Sequence, residues 1–434
     1  MFHSDTPRQV RASRELVAVI VVAAIIRGGL LLAMPHGLSV DTDGYRSLAE
    51  NLVQYGVYGF SPSDDGAPPV PTAYRPPLYP LLLSTVALSG NLAPVGIGLL
   101  HLLLGVLTVA VVYLIALRCR LKEFRWLACL LVACDPILLN QSAQIMTETL
   151  AALLAAVALW MLIRLGGHPR PRTAAAVGVA LALAILCRPV FLVWWIACGC
   201  TVLWICRRNP SRLQISSALL IGTLLVLTPW AIRNHHLFGR PKITTTHGGY
   251  TLLLANNPAI YRHLRDRPWG SPWDASEWTG AHAYLAADSP QAIVSPHEEL
   301  RLDRQAYQLA FNCIREEPRM FAWSCVSRVA RLWGCVPRRV DARESSARTW
   351  LRYGAGVWNL AVLLLVAGGA AGLRRDLLRT PWLWGVLLCL ALTVVHLFFW
   401  TNLRMRAPLV PFFALLAARG GASAWAGLRR RVGG

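Results

Sequence analysis

A chain of 434 residues that is 55% hydrophobic and only 15% charged, with a mean hydropathy of +0.45, is too apolar for a water-soluble globular protein, in which about a quarter of residues are charged. A formal net charge of +21 raises nucleic acid as a partner, but a nucleic-acid binder gathers its basic residues on one face or domain. Here they sit in small clusters between apolar runs, so a polytopic membrane protein is expected, with membrane lipids and no nucleic acid as partners.

The first apolar run, 16–34, is long enough to cross a bilayer at ~1.5 Å per residue. Arg27 interrupts it, and Arg8, Arg11 and Arg14 precede it without a clean cleavage site, which predicts a retained helix rather than a signal peptide. The stretch that follows, Asp41 to Pro80, is polar and too long to be a simple connector. Its last part and the residues after it, Pro77 to Leu92, are apolar but short and proline-rich, the character of an interfacial or re-entrant segment. Further spans are predicted at 95–117, 126–142, 148–166, 174–188, 190–206, 213–232, 351–372, 381–401 and 407–426, about ten in all. Charge supports this count. The predicted inner loops carry Arg118, Arg120, Lys122 and Arg125, then Arg164, Arg170 and Arg172, then Arg207, Arg208 and Arg212, then Arg374, Arg375 and Arg379, whereas the short outer segments hold few arginines, as the positive-inside rule requires. Making Pro77 to Leu92 a full span would invert every later span.

Between Arg233 and Thr349 lies a long outer loop. It has apolar residues at Leu300, Tyr307, Phe311 and Ile314, a helical spacing, then Pro318 and a second amphipathic run. These are expected to lie on the outer leaflet with the apolar face down and arginines toward lipid phosphates. The chain therefore divides into 1–232, whose first outer loop (35–94) carries an acidic site, an outer region 233–348, and a C-terminal membrane part 349–434. The eleven cysteines lie mostly in apolar segments. Only Cys313, Cys325 and Cys335 are disulfide candidates.

Asp41 and Asp43 follow the first helix, where carboxylates are close to the headgroups but hydrated. Taken alone they read as a helix-capping pair, and Glu148, in the turn QSAQIMTETL on the same predicted side, reads as an N-terminal helix acid. Two carboxylate positions meeting at one membrane face are nevertheless functional candidates. On that face lie Arg75, Arg188, Arg233, Arg404 and Arg406. Each alone is a snorkelling residue. Together with the acids they describe a site that holds an anionic headgroup and removes a proton, since the planar guanidinium binds two phosphate oxygens at once. His235 and His236 invite a metal, but no paired ligand spacing supports one, and a divalent cation is left open.

The runs DTDGYRSLAENLVQYGVYG, YRPPLYPLLL, IMTETLAALLAAVALW, CRPV, LTPWAIRNHHLFGRPKITTTHGGYTLLLANNP, AYQLAFNCIREEPRMF and NLRMRAPLVPFFALLAA, in that order, resemble the GT-C membrane glycosyltransferases, and among them the bacterial protein O-mannosyltransferase and aminoarabinose transferase branch. The likeness implies an all-α GT-C-like bundle of about ten transmembrane helices with outer juxtamembrane helices. It also implies transfer, with inversion, of one sugar from a polyprenyl-phosphate donor to an acceptor hydroxyl on a glycan, lipid or protein at the outer face of the inner membrane. On this resemblance Asp41 is the base or acceptor-orienting acid, with Asp43 the neighbouring alternative and Glu148 the second acid. Tyr45, Arg75, Tyr79, Arg188 and Arg233 would contact substrate, with Arg404 and Arg406 above all on the lipid phosphate. Thr251 and Ala255 depart from the family, where asparagine and glycine are expected. A transporter or flippase for a lipid-linked sugar would use similar residues, but should show repeated halves with ionisable groups at the bilayer midplane, and neither is evident. A non-catalytic cell-envelope assembly protein is the remaining alternative.

Overall fold

The computed structural model describes residues 6–61, 68–87, 90–273, 295–339 and 344–432. Seven of its helices are long and apolar enough to cross a membrane. In chain order these are α1 (Thr6–Ala33), α4 (Pro94–Arg118), α7 (Glu148–Gly167), α9 (Phe191–Ile205), α10 (Arg212–Phe238), α15 (Ser346–Leu373) and α17 (Val410–Val432), with two shorter apolar helices beside them, α8 (Pro171–Cys187) and α16 (Leu383–Phe398). The span expected at 126–142 is instead two short helices, α5 (Arg125–Ala133) and α6 (Pro136–Ser142). The cause is an Asp-Pro pair. Asp135 caps α6 by accepting from the backbone N–H groups of Ile137 and Leu138, both at 3.0 Å, and Pro136 has no N–H with which to continue α5.

Small residues let the spans approach closely. A Cβ on Gly178 of α8 would stand 2.1 Å from the Leu219 carbonyl oxygen of α10, and one on Gly222 would stand 2.3 Å from that of Ala175. The α15 and α17 pair repeats this arrangement with Gly369 and Gly420.

Shorter pieces lie between the long helices: α2 (Tyr45–Tyr55), a two-stranded antiparallel ribbon of β1 (Gly59–Phe60) and β2 (Val70–Pro71), α3 (Leu78–Ser84), α11 (Gly248–Ala255), α12 (Pro258–Asp266), α13 (Pro296–Glu316) and α14 (Pro318–Trp333). With seven residues, α3 is about 10 Å long, far short of a bilayer core. The expectation that 77–92 stays at one surface agrees with this length. Helix α13 differs from its predicted setting. Its inward face holds not only Leu300, Ala306 and Ala310 but also Glu299 and Asp303, because these acids have partners. Glu299 accepts from Thr72 Oγ1 at 2.7 Å, from the Ala73 N–H at 3.1 Å and from the Thr246 hydroxyl. Asp303 accepts from Lys242 Nζ at 2.9 Å and the Gly249 N–H at 2.8 Å. One helix face thereby ties the segment after β2 to the loop after α10. All eleven cysteines are free, so the pairing considered for Cys313, Cys325 and Cys335 does not form.

Candidate active site

The turn DTDG sets the acids apart. Gly44 adopts φ 74°, a left-handed conformation that costs glycine little, and the chain then enters α2. Asp41 turns back onto that helix: its carboxylate accepts from the backbone N–H groups of Arg46 at 3.1 Å and Ser47 at 2.9 Å, and from the Ser47 hydroxyl at 3.1 Å. Asp43, two residues on, faces a cavity of about 630 Å³.

Arg75 reaches that acid from the run YRPP. Its Nη2 is 3.0 Å from Asp43 Oδ1, and its Nε donates to the Asp43 carbonyl at 2.9 Å. The guanidinium also lies over the rings of Tyr45, at 5.5 Å, and Tyr74, at 5.1 Å. Glu148 opens α7, lines the same cavity and is 2% exposed. Arg188, at the C-cap of α8, meets it at 3.0 Å. Arg404 comes from the 3-10 turn Leu403–Leu409 and stands between the two acids, 3.6 Å from Glu148 Oε1 and 3.9 Å from Asp43 Oδ2. Three guanidinium groups thus face two carboxylates, leaving one net positive charge. Arg404 is the least committed cation, since its distances to both acids are longer than those of the other two pairs.

Asp43, Tyr45, Arg75, Glu148, Arg188 and Arg404 all line this one cavity. Four other candidates are not among its lining residues. Asp41 caps α2. Tyr79 lies behind Tyr45, edge to face at 5.2 Å, and gives its hydroxyl to His101 Nε2 at 2.8 Å, while His101 Nδ1 donates to the Ser142 carbonyl at 2.8 Å. Arg233 holds the ribbon, donating to the carbonyls of Thr72 at 2.7 Å and Tyr58 at 2.8 Å. Arg406 is buried, donates to the Gly334 carbonyl at 3.2 Å, and borders a small void with Asp135 and Asn359.

Burial pushes the Tyr45 hydroxyl up to about 12, against the pull of the neighbouring Arg75 charge. That hydroxyl therefore keeps its proton. The wall also holds residues that the sequence did not single out. His247 places Nε2 3.3 Å from Arg75 Nη1. A guanidinium only donates, so Nε2 accepts and Nδ1 carries the ring proton. Burial, and next the Arg75 charge, hold the imidazole well below its ordinary range and therefore neutral. The sequence signal for this loop is HGGY. A Cβ on Gly248 would meet the Tyr307 hydroxyl at 2.2 Å, and one on Gly249 the Asp303 carbonyl at 2.2 Å, so the two glycines let the loop pack against α13. Thr251, one of the two departures from the family, lines the cavity, and its carbonyl accepts from the Trp400 N–H at 3.1 Å. Leu192 and Val193 of α9, Val395 of α16, and Phe399, Trp400 and Trp273 add an apolar part to a wall that also holds Thr147, Thr244, Thr245 and His396. The cavity suits an amphiphile with an anionic centre.

Among the described residues no three His, Cys, Asp or Glu side chains cluster as metal ligands. The site acids face arginines, an environment unlike that of a cation held by protein ligands alone.

Residues 74–232 match the family described as dolichyl-phosphate-mannose-protein mannosyltransferase. No curated protein matches the chain significantly. Among solved structures, the oligosaccharyltransferase AglB from Archaeoglobus fulgidus, in complex with an inhibitory peptide and a dolichol-phosphate, aligns at a TM-score of 0.56 with 15% identity, over 96% of this chain and 51% of that one. The Archaeoglobus fulgidus oligosaccharyltransferase in complex with Zn and sulfate aligns at 0.53 with 13% identity, over 95% and 50%. ArnT from Cupriavidus metallidurans bound to undecaprenyl phosphate aligns over 98% of this chain and 79% of that one with 16% identity, at a TM-score of 0.38, too low to bear on the fold. The chain spans about half the length of the oligosaccharyltransferases it matches, and at these identities the likeness is one of fold. With the matched segment and the helical membrane architecture together, the chain has the GT-C fold of polytopic membrane glycosyltransferases.

Proposed function

We propose that the chain is an inverting glycosyltransferase that moves a single sugar from a polyprenyl-phosphate carrier to an acceptor hydroxyl at the outer face of the cell membrane. The observation that carries this reading is the meeting of Asp43, Glu148 and Arg404 in one cavity with an apolar flank. The acceptor hydroxyl is a poor nucleophile and needs a positioned carboxylate. Of the two acids of DTDG, Asp43 is the one at the cavity wall and takes the proton, while Asp41, turned into α2, sets the start of that helix. As the acceptor oxygen bonds to the anomeric carbon, the bond from that carbon to the phosphate oxygen breaks and its electron pair stays on the phosphate. Arg404, with Arg188 behind it, meets the charge that develops there. Glu148 holds both guanidinium groups in place, and Arg75 does the same for the Asp43 carboxylate. The phosphate leaves without a proton, so one base and one cationic clamp complete the reaction.

The purified chain, reconstituted in liposomes and given a panel of radiolabelled polyprenyl-phosphate sugars with a membrane extract as acceptor, tests the reading. It predicts label in a glycosidic product for at least one sugar, with the anomeric configuration reversed. Label that only changes leaflet, still on its intact lipid, would make the chain a translocator.

A further inference from the structure

Helix α7 begins at Glu148 in the active cavity and runs 20 residues to Gly167, about 30 Å and so about one hydrocarbon thickness. At its far end is a second cavity of about 160 Å³, lined by Arg118, Arg164, His168, Arg170 and Thr173. Its walls come from three membrane helices. Arg118 ends α4, Arg164 lies in the last turn of α7, and Arg170 and Thr173 belong to the start of α8. No carboxylate lines it, and none of its three arginines makes an ion pair among the described residues. Arg118, Arg164 and Arg170 are exposed at its rim, so three positive charges on one small concavity are open to an anion arriving from the membrane surface. The α8 start adds to the field: its N-cap, Arg170, makes no side-chain capping bond, and Pro171 follows, so no side chain caps the N–H groups of that first turn. Arg164 also lies over the Trp160 ring at 5.0 Å, an aromatic and basic pairing suited to the headgroup plane.

We propose that this cavity holds the phosphate of an anionic phospholipid in the leaflet opposite the active site. A lipid rather than a soluble phosphate is favoured because the cavity sits where three spans leave the hydrocarbon, so a headgroup reaches it with its acyl chains still in the bilayer. Arg207 and Arg208, in the turn after α9, carry similar charge at the same membrane face without sharing the cavity, and supply the control.

The test titrates the full chain, purified in a neutral detergent, with dioleoyl phosphatidylglycerol or dioleoyl phosphatidylcholine and counts bound lipid by native mass spectrometry. The wild type should retain phosphatidylglycerol in preference to phosphatidylcholine. Arg164→Gln/Arg170→Gln should weaken phosphatidylglycerol about thirtyfold, the usual contribution of two basic residues near anionic lipid, with phosphatidylcholine unchanged. Arg207→Gln/Arg208→Gln should change neither by more than about twofold. Arg118→Gln/Arg164→Gln is the second cavity variant, and thermal unfolding checks that each pair stays folded. Equal losses in the cavity and control pairs would reduce the effect to diffuse surface charge and overturn the site. Displacement of phosphatidylglycerol by equimolar inorganic phosphate would overturn the lipid assignment.

Discussion

Arg404 Nη2 stands 3.9 Å from Asp43 Oδ2, and Nε of the same side chain stands 3.6 Å from Glu148 Oε1. The first acid follows α1, the second begins α7, and the guanidinium precedes α17. Three distant segments therefore place their charges in a single cavity, the arrangement that the proposed proton removal and leaving-group stabilisation require of one site.

The two acids of DTDG should separate on substitution. Asp43→Asn removes the carboxylate at the cavity wall and should lower transfer by about 10²–10⁴-fold, the usual contribution of a general base, with insertion intact. Asp41→Ala removes a cap of α2 and should cost about 1 kcal/mol of stability while transfer stays near the wild-type rate. Transfer assays paired with thermal unfolding check both. Loss of transfer in a well-folded Asp41→Ala variant would reverse the roles.

Glu299 gives a pH signature with a definite sign. Burial holds its carboxyl above the ordinary value of 4.5, so the folded protein keeps this proton more tightly than the unfolded chain does. Its contribution to stability is then full below about 4.5 and falls as pH rises through the folded-state value. Glu299→Gln does not titrate, so its Tm should gain on the wild type across that window and run parallel above it; a variant that loses ground there would contradict the assignment. Glu299→Ala, which leaves the Ala73 N–H and two threonine hydroxyls without their acceptor, should cost about 1–3 kcal/mol.

The close contact of the HGGY loop with α13 predicts a position-specific penalty. Gly249→Ala drives a methyl against the Asp303 backbone and should lower stability by about 1–3 kcal/mol, with transfer impaired through displacement of His247. Gly28→Ala, which meets nothing within 4 Å in α1, should be neutral or slightly stabilising. Thermal unfolding of the two variants gives the comparison.

Orientation is open to a labelling test. Lys122 follows α4 and Asp266 ends α12, and both are exposed. In a cysteine-free background, a cysteine at residue 266 should react with an impermeant maleimide added outside the cell, and one at 122 should react only after permeabilisation. Outside labelling at 122 would overturn the topology.

The long helices were legible because a long apolar run has few other uses, and the shortness of the helix within 77–92 followed from its prolines. The break inside 126–142 was hidden: a hydropathy window averages across Asp135 and Pro136, although the pair is a helix-start signal. Candidate charges could be listed from the sequence, but their sorting could not. Asp41 and Asp43 differ only through the turn at Gly44, and Arg233 and Arg406 are taken up by carbonyls from distant segments. Glu299 was invisible as an anchor because Thr72 and Thr246, its partners, lie 227 and 53 residues away. An apolar helical spacing marks which face of α13 turns inward, not which acids turn with it.

The central claim, that Arg404 clamps a lipid phosphate beside the base at Asp43, is tested most directly by the affinity of the purified chain for undecaprenyl phosphate in two variants. Asp43→Asn should bind within about twofold of the wild type while its transfer is lost, and Arg404→Ala should bind at least about tenfold more weakly, the scale of one charge-assisted contact to phosphate. Wild-type affinity in Arg404→Ala would contradict the account.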